Sequence, residues 1–384
     1  MLKEWTIFVF MAADNDLDVA ATSDLVEMRR WQGSERANIV IELDRRRASL
    51  SDNDSGKFSS KRYLLNGELS ELMDLGETNT GDPLVLREFL EWGARAFPSR
   101  KTALVIWNHG GGVKDPAIYG KQASPMRRAL FGSKIDQDEK PRMKWVAMDD
   151  TAQDFLETAE LSVALETPFK LDILAFDACF MSNFEVFYQI RNQANFAVAS
   201  QMIVPVDGFE YDQLFNTVTA PECDTGQEWV VRCVDHFKNR YDDGEEAACL
   251  SGYQLSYCSH FIEGLNELSG WLLEHWKGCT LATLRATQKA ALFRDRSYID
   301  VGNFVAELKN EIADPLFHNS CEKLEGALKT GTVANTFYKV PEISGLSLYL
   351  PLIKPDEVVW QRYEKLDFSH AAPNWLELIR KVLS

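Results

Sequence analysis

The sequence predicts an α/β protein with a mostly parallel central sheet, helices on both faces of that sheet, and a more helical C-terminal part. Three features support this prediction. The first half of the 384 residues alternates apolar strand segments with amphipathic helical segments. The strand segments are apolar throughout, which is typical of parallel strands that are buried on both faces. The second half is mainly helical and contains one late strand segment.

The predicted elements follow one another through short connections. Apolar segments predict strands at residues 5–13, 38–44, 102–107, 171–176 and 196–200. Periodicity and capping residues predict helices at 17–31, 84–97, 153–166, 181–191, 228–241, 260–276, 281–293 and 301–312. For the helix at 153–166, Thr151 and Asp154 are placed as a capping box.

Two regions and one loop are predicted along the chain. Residues 1–258 form the sheet domain, and residues 259–384 form a mainly helical region that packs on it and returns a strand at 344–351. Within the sheet domain, residues 110–142 show little periodicity and are rich in Gly, Pro, Lys and Arg. A structureless segment of about thirty residues in a compact domain is usually functional or disordered, so a flexible basic loop is expected.

The composition excludes several classes of function. A formal net charge of -17 repels phosphate backbones, so nucleic acid is not an expected partner. The seven cysteines are odd in number and loosely spaced, which argues against a disulfide scaffold and for a reducing compartment. No apolar stretch approaches the roughly 20 residues that span a bilayer, and segment 5–13 lacks the flanks of a signal peptide. We therefore expect a cytoplasmic protein without a membrane partner.

Two predicted strand ends carry residues suited to catalysis. The strand at 102–107 runs into the letters NHGGG, which contain His109, and the strand at 171–176 runs into DACF, which contains Cys179. The carboxyl ends of parallel strands lie at one edge of a sheet, where open α/β sheets place their sites. Neighbouring strands about 5 Å apart would bring His109 and Cys179 within reach of each other. An imidazole favours the thiolate, which is the nucleophile, and a helix starting at Cys179 would add its dipole.

The backbone near this pair can also bind a developing negative charge. The N–H groups of Gly110 and Cys179 are candidates for an oxyanion hole. Other interpretations compete with this one: a lone cysteine is usually a buried small apolar residue. A phosphate-binding loop would need Ser or Thr after Lys114, and an esterase would need a G-x-S-x-G elbow, which the sequence lacks.

Six segments of the chain resemble the clostripain family of cysteine peptidases, in the clan that includes caspases, legumains and gingipains. The matching segments are FVFMAADNDLD, LVIWNHGGG, DD-T before ELSVAL, ILAFDACFMSNFEV, YIDVGNF and SGLSLYLP. They span nearly the whole chain in the order of the family. The resemblance implies a caspase-like three-layer sandwich and an endopeptidase that cuts after Arg or Lys, with His109 and Cys179 as its dyad.

Cleavage after a basic residue requires an acidic pocket. Asp177 stands at the position that lines the pocket in similar proteins, and Asp207 stands where the family has a Gly-rich turn near the substrate. A bidentate Asp–Arg contact would favour Arg over Lys. The alternative role for Asp177 is a helix N-cap. Gln201 stands where the family often has an acidic residue, which leaves the Arg preference and a calcium site there open. The sequence requires no cofactor and shows no metal-ligand motif; calcium is the candidate ion.

The loop at 110–142 indicates control by proteolysis. Arg127 and Arg128 lie in its middle and match the expected preference, so the enzyme itself or an upstream protease would cut there and convert a zymogen. A variable surface insertion is the alternative for this loop. The expected partners are proteins with exposed Arg or Lys. The alternative for the whole protein is a catalytically idle caspase-like binding module.

Overall fold

A computed structural model describes residues 2–45, 59–114, 146–242, 244, 246–291 and 296–384. Most of the predicted loop at 110–142, including Arg127 and Arg128, therefore lies outside the described residues. None of the helices in these ranges is both long enough and apolar enough to cross a membrane.

A nine-stranded sheet forms the centre of the fold. In chain order the strands are β1 (Lys3–Ala13), β2 (Ala37–Arg45), β3 (Ser60–Leu65), β4 (Leu69–Gly76), β5 (Ser99–Trp107), β6 (Leu171–Asp177), β7 (Ala194–Ala199), β8 (Ala248–Gln254), β9 (Tyr298–Asp300), β10 (Thr332–Tyr338) and β11 (Ser347–Tyr349). The central sheet has the order β10-β8-β7-β6-β5-β1-β2-β3-β4, and β9 and β11 form a separate two-stranded sheet. The run from β7 to β2 is parallel, and the strands outside this run pair antiparallel.

Helices cover both faces of this sheet. They are α1 (Asp18–Met28), α2 (Pro83–Ala96), α3 (Leu161–Ala164), α4 (Phe184–Gln189), α5 (Tyr211–Val218), α6 (Gly226–Tyr241), α7 (Cys258–Glu274), α8 (Trp276–Ala290), α9 (Val301–Glu311), α10 (Pro315–Gly331), α11 (Glu357–Glu364), α12 (Asp367–Ala371) and α13 (Pro373–Val382). Helices α1, α5 and α6 pack on one face, and α2, α4 and the C-terminal helices pack on the other.

Alternate side chains of the central strands enter two separate apolar cores. In β1, Phe8 and Phe10 enter the core under α2 and α4, whereas Ile7 and Val9 enter the core under α1 and α6. All four side chains are fully buried. Successive side chains of a strand point to opposite faces, so a strand covered on both sides must be apolar throughout. The predicted mostly parallel sheet between two helical layers is confirmed.

The helix predicted at 153–166 is wrong in its first half. Asp149 and Asp154 pair as an isolated β-bridge, and Gln153 has a φ of 60°, which a right-handed helix excludes. The Asp149 carboxylate takes the N–H of Ala152, because aspartate side chains compete with a helix for backbone donors. Regular structure begins only with a 3-10 turn at Thr158–Glu160, followed by α3. The capping box is formed by Glu157 and Glu160 of that turn.

The sequence pattern also misses four strands of the main sheet. Strands β3 and β4 form one edge, and β8 and β10 form the other. β4 is largely exposed, so it lacks the apolar run that marks the central strands. The predicted strand at 344–351 is β11, which pairs with β9 in a separate two-stranded sheet. β10 instead supplies the outer strand of the main sheet, and this non-local pairing leaves no local signal in the sequence.

The C-terminal helices share a core with the sheet domain, which gives a testable prediction. Phe184 of α4 and Phe261 of α7 stack with ring centroids 3.8 Å apart, and both are fully buried. We expect Phe261→Ala to lower the free energy of unfolding by about 3–5 kcal/mol in a urea titration, because the cavity spans both regions.

The matched control is Phe337→Ala, since Phe337 is 38% exposed. It should cost about 1 kcal/mol or less. If Phe261→Ala instead produced two separate transitions, with the one from the sheet domain unchanged, the two regions would not share one cooperative core.

Candidate active site

The carboxyl ends of β5 and β6 meet at one edge of the sheet, as predicted. The two strands are parallel neighbours, with Trp107 opposite Asp177. A Cβ added to Gly110 would lie 2.1 Å from the carbonyl oxygen of Cys179 and 2.8 Å from its nitrogen. The two backbones are therefore in contact, and glycine alone fits at position 110. The structure thus places the turn that begins at His109 directly against Cys179.

Hydrogen bonds hold His109, which is only 3% exposed. The Asn108 side chain accepts the N–H of His109 at 2.5 Å and donates to the carbonyl of Ala12 at the end of β1. The Nε2 atom of His109 lies 2.6 Å from an Asp16 carboxylate oxygen. The sequence alone does not identify Asp16 as part of the site. The available signal was position, because Asp16 follows β1, and β1 is the neighbour of β5.

Cys179 differs from the other cysteines in exposure. All seven cysteines are described, and Cys179 is the one that is partly exposed. Burial raises the pKa of each of the other six thiols, which makes them poor nucleophiles; they are Cys223, Cys233, Cys249, Cys258, Cys279 and Cys321. The sulfur of Cys179 accepts the N–H of Val204 at 3.3 Å. Among the seven thiols, that of Cys179 is therefore the one that is accessible from solvent.

The prediction that a helix begins at Cys179 is wrong. Helix α4 begins at Phe184, five residues later. Phe180 has a φ of 59°, which interrupts any helix there. The N–H groups of Phe180 and Ser182 donate to the carbonyls of Met202 and Ser200, so this loop runs beside the segment that follows β7. The backbone donor at the sulfur is thus the N–H of Val204 rather than a helix N-terminus.

Asp177 is the last residue of β6, and its carboxylate is buried beneath the same edge. It accepts the N–H of Phe209 at 3.2 Å and the hydroxyl of Tyr211 at 2.9 Å. A Cβ on Gly208 would lie 2.6 Å from this carboxylate, and Gly208 has a φ of +50°, so glycine is required there. Burial raises the pKa of Asp177 to about 6. The helix N-cap alternative is wrong, because α4 begins at Phe184 with Asn183 before it, and neither donor to Asp177 is a backbone N–H of α4.

A second buried carboxylate accompanies Asp177. Asp24 of α1 accepts the indole N–H of Trp107 at 2.6 Å. Burial and the charge of Asp177 raise the pKa of Asp24 to about 8. Asp24 comes from a helix far from Asp177 in sequence, so sequence spacing alone does not reveal this pair.

One arginine lies among these acids. Arg240 of α6 approaches the Glu27 carboxylate at 3.5 Å and donates to the backbone carbonyl of Asp207 at 2.8 Å. The charge of Arg240 offsets part of the rise that burial causes in the pKa of Asp177. The Asp207 side chain is exposed, so its place is at the rim rather than beside the buried Asp177. Among the described residues, the result is an acidic region that contains the guanidinium of Arg240.

Segments of the C-terminal region fasten the loops of the site. The Tyr298 hydroxyl donates to the carbonyl of Gly111 at 2.6 Å. The Gln201 side chain donates to Asp300 at 3.0 Å and accepts the N–H of Gly345 at 2.9 Å. Gln201 is buried and joins two C-terminal segments. It has this role at the position where the family often has an acidic residue. The late motifs YIDVGNF and SGLSLYLP thus build part of the site.

This arrangement can perform nucleophilic chemistry at a carbonyl group. It combines a partly exposed thiol, an imidazole held by a carboxylate, and backbone amides at a glycine turn. A possible metal-binding group lies elsewhere among the described residues and consists of Asp14, Asp44 and Asp149.

The fold defines the chain as a caspase-like α/β protein. It superimposes on an inactive zymogen C11 protease from Parabacteroides distasonis with a TM-score of 0.70 at 17% identity, covering 97% of this chain and 99% of that one. A secreted C11 cysteine protease from Bacteroides thetaiotaomicron, in complex with an irreversible peptide inhibitor, gives 0.69 at 17% identity, with 96% and 99% covered. These low identities establish the fold alone, and the predicted caspase-like sandwich is confirmed.

The chain belongs to the clostripain family. The pattern of that family matches residues 9–124 and 131–372. Clostripain from Hathewaya histolytica is 30% identical over 236 residues, which cover 56% of this chain and 42% of that protein. The chain therefore matches less than half the length of this relative. The family assignment made from the six motifs is confirmed.

Proposed function

We propose that the protein is a cysteine endopeptidase that cleaves after basic residues, with Cys179 as nucleophile and His109 as proton carrier. The observation that carries this proposal is the contact between Cys179 and the turn at Gly110, directly after His109. Cys179 is also the one cysteine that is not buried. Membership of a peptidase family supports the same function.

The proposed reaction begins when His109 takes the proton of the Cys179 thiol. A carboxylate only accepts hydrogen bonds, so Asp16 fixes the imidazole proton on Nε2 and directs Nδ1 to accept the thiol proton. The thiolate attacks the peptide carbonyl, and the N–H groups of Gly110 and Cys179 stabilise the oxyanion. His109 then protonates the leaving amine as the C–N bond breaks. Water then attacks the thioester carbonyl and gives a proton to His109. The C–S bond breaks, the carboxylic acid product leaves, and His109 returns the proton to the sulfur of Cys179.

The proposed preference for a basic P1 residue rests on Asp177. Its carboxylate is buried, so a contact with a substrate guanidinium there would be weakly screened by water. Asp207 is exposed and would add attraction at the rim. Arg240 already provides a positive charge in this region, so an incoming Arg must compete with a resident one. The planar fork of Arg fits a carboxylate in two hydrogen bonds, which favours Arg over Lys.

We also propose control by cleavage of the loop after His109, at Arg127 or Arg128, by the enzyme itself or by an upstream protease. Both residues lie outside the described part of the chain. The support is the position of the loop, whose described start at Gly110–Gly112 is part of the site. The similar fold of an inactive zymogen from Parabacteroides distasonis supports the same kind of control.

The dyad is tested by substitution in the full chain. We expect Cys179→Ala and His109→Ala each to reduce kcat/KM for a fluorogenic Arg peptide by roughly 10⁴-fold or more, with unchanged thermal unfolding. The two losses should not add in the double variant, because both residues serve one proton transfer. Cys321→Ala is the matched control, since Cys321 is buried in α10, and it should retain activity. Full activity of Cys179→Ala would refute the assignment, and inactivity of the unsubstituted chain would favour an idle binding module.

Selectivity is tested with a set of P1 peptides and a pH series. Asp177→Asn should lower kcat/KM for Arg peptides by roughly 30- to 4000-fold, as expected for loss of a buried charge contact. The pKa of Asp177 is raised to about 6, so its carboxylate is charged above that pH and neutral below it. KM for Arg peptides should therefore rise as the pH falls through 6, and Asp177→Asn should lose this step.

The matched control for selectivity is Asp172→Asn. Asp172 lies in the same strand at its opposite end, where it accepts the N–H of Thr102. This variant should keep both the Arg preference and the pH step. Equal cleavage after Asp and Arg by the unsubstituted enzyme would refute the proposed pocket.

Control by the loop is tested by replacing Arg127 and Arg128 with Ala. Intact mass should then show an uncut chain, and activity against small peptides should fall strongly, because the uncut loop starts beside His109. Replacing Lys134 and Lys140 in the same loop should leave the cut and the activity unchanged. Full activity in a chain shown by mass to be uncut would contradict this mechanism.

A further inference from the structure

The turn after His109 contains three consecutive glycines at 110–112. Glycine adopts many backbone conformations at similar energy, so such a turn does not fix its own shape. Among the described residues, these three glycines also make no backbone–backbone hydrogen bond. The N–H of Gly110 nevertheless needs a defined position, because a group misplaced by about 1 Å can cost about 100-fold in rate. Side chains from elsewhere in the chain must therefore hold this turn.

Tyr298 holds the glycine turn through both functions of its hydroxyl group. The hydroxyl donates to the carbonyl of Gly111 at 2.6 Å and accepts the N–H of Lys114 at 3.2 Å. A hydroxyl has one proton to donate and lone pairs that accept, so a single oxygen fixes both ends of the segment 111–114. Gly112 lies between these contacts, and a Cβ added to it would be 2.5 Å from the Tyr298 hydroxyl oxygen. The turn is therefore folded closely around this hydroxyl.

The ring of Tyr298 also contacts the loop that carries the nucleophile. It stacks on the ring of Phe180, with the centroids 6.0 Å apart and the planes 19° apart. Phe180 directly follows Cys179, and its φ of 59° sets the path of the chain after the nucleophile. One side chain therefore touches both segments that meet at the site, the turn that contains Gly110 and the loop that contains Cys179.

Tyr298 is itself held by the two-stranded sheet of β9 and β11. It is the first residue of β9, pairs with Tyr349 of β11, and is 1% exposed. The rings of Tyr298 and Tyr349 also pack edge to face, with centroids 5.7 Å apart. At the other end of β9, the N–H of Val301 donates to the carbonyl of Leu346 at 3.1 Å. A side chain on a strand fixed in this way can hold a neighbouring turn in one position.

We propose that Tyr298 is a positioning residue that holds the N–H of Gly110 where the oxyanion develops. It acts through the glycine turn and touches neither the substrate nor the reacting atoms. The inference rests on the proposed peptidase function and adds to it a residue from the C-terminal region. The Thr158 hydroxyl supports the same turn, because it donates to the carbonyl of Gly112 at 3.0 Å. Removal of the Tyr298 hydroxyl should therefore weaken binding of the transition state and leave binding of the substrate unchanged.

The kinetic test is Tyr298→Phe in the full chain, which keeps the ring and removes the hydroxyl. We expect kcat for a fluorogenic Arg peptide to fall roughly 100-fold, with KM changed by less than about twofold. An Arg peptide aldehyde should lose affinity by a similar factor. In its adduct the Cys179 sulfur bonds to the aldehyde carbon, and the electron pair of the C=O bond moves to the oxygen. That oxygen takes up the thiol proton and occupies the oxyanion position.

Alkylation of Cys179 by iodoacetamide separates the oxyanion from the nucleophile. The thiolate displaces iodide from a CH₂ group in this reaction, so no oxyanion forms, and the rate reports the reactivity of the sulfur. The other six cysteines are buried, so mass spectrometry can follow Cys179 by itself. We expect the alkylation rate of Tyr298→Phe to equal that of the unsubstituted chain.

Two other buried tyrosines provide matched controls. The hydroxyl of Tyr253 has no hydrogen-bond partner among the described residues, and that of Tyr363 donates to Glu185 at 3.0 Å. Tyr253→Phe and Tyr363→Phe should both keep kcat, although Tyr363→Phe should lower Tm through the lost hydrogen bond. If Tyr298→Phe did not fold, Thr158→Ala would remove the second hydroxyl from the turn. It should then lower kcat by about tenfold with KM unchanged.

Hydrogen exchange tests the contact without any need for activity. In the Cys179→Ala chain, adding Tyr298→Phe should speed amide exchange at 110–114 by about tenfold, because the turn loses its contacts with the hydroxyl. The proposal is overturned if kcat is unchanged in Tyr298→Phe, if alkylation falls as strongly as kcat, or if exchange is unchanged. An inactive unsubstituted chain would instead refute the proposed function, and the exchange rates would still decide whether Tyr298 holds the turn.

Discussion

Parallel pairing of β1, β5 and β6 places three strand ends at one edge of the sheet, and the site depends on this pairing. In the register of these strands Met11 lies opposite Trp107, and Trp107 lies opposite Asp177. The chain leaves each strand at the same level, so Asp16, His109 and Cys179 reach one edge from three separate segments. The pairing is in turn held by apolar side chains buried in both cores, since each central strand contributes to the two faces alternately.

Close backbone approach is the second constraint at this edge. Gly110 lies against the backbone of Cys179, and Gly208 lies against the Asp177 carboxylate. Any side chain at these positions would push the backbone of Cys179 or the carboxylate of Asp177 away from its partners. The region after residue 258 adds to this constraint, because Tyr298 holds the carbonyl of Gly111 and the N–H of Ser347 donates to the carbonyl of Ser182. The two-stranded sheet of β9 and β11 is thus part of the support of the site.

Two groups of buried acids lie near this edge, and they differ in how far hydrogen bonds and positive charge compensate their carboxylates. Asp177 accepts donors from Phe209 and Tyr211 and lies within the influence of Arg240, so its charge is partly compensated. The oxygens of Asp44 have no hydrogen-bond partner among the described residues, and the charges of Asp149 and Asp14 add to the rise that burial causes in its pKa. Burial weakens the screening of charge by water in both places, so the uncompensated charges of the second group are the more costly ones.

The sequence by itself determined the central parallel strands, the family, and the positions of His109 and Cys179. Those features depend on short segments of the sequence, namely apolar runs and motifs at strand ends. They can therefore be predicted without knowing which distant residues are in contact. Only the tertiary structure decided the rest. The loop after Cys179 pairs with residues 200–202 instead of forming a helix, and the edge strands β8 and β10 pair across a long stretch of chain. Asp16 joins the site from the turn before α1, Asp24 from α1 and Arg240 from α6. These side chains meet residues that are far away in sequence only when the sheet and its helices have packed.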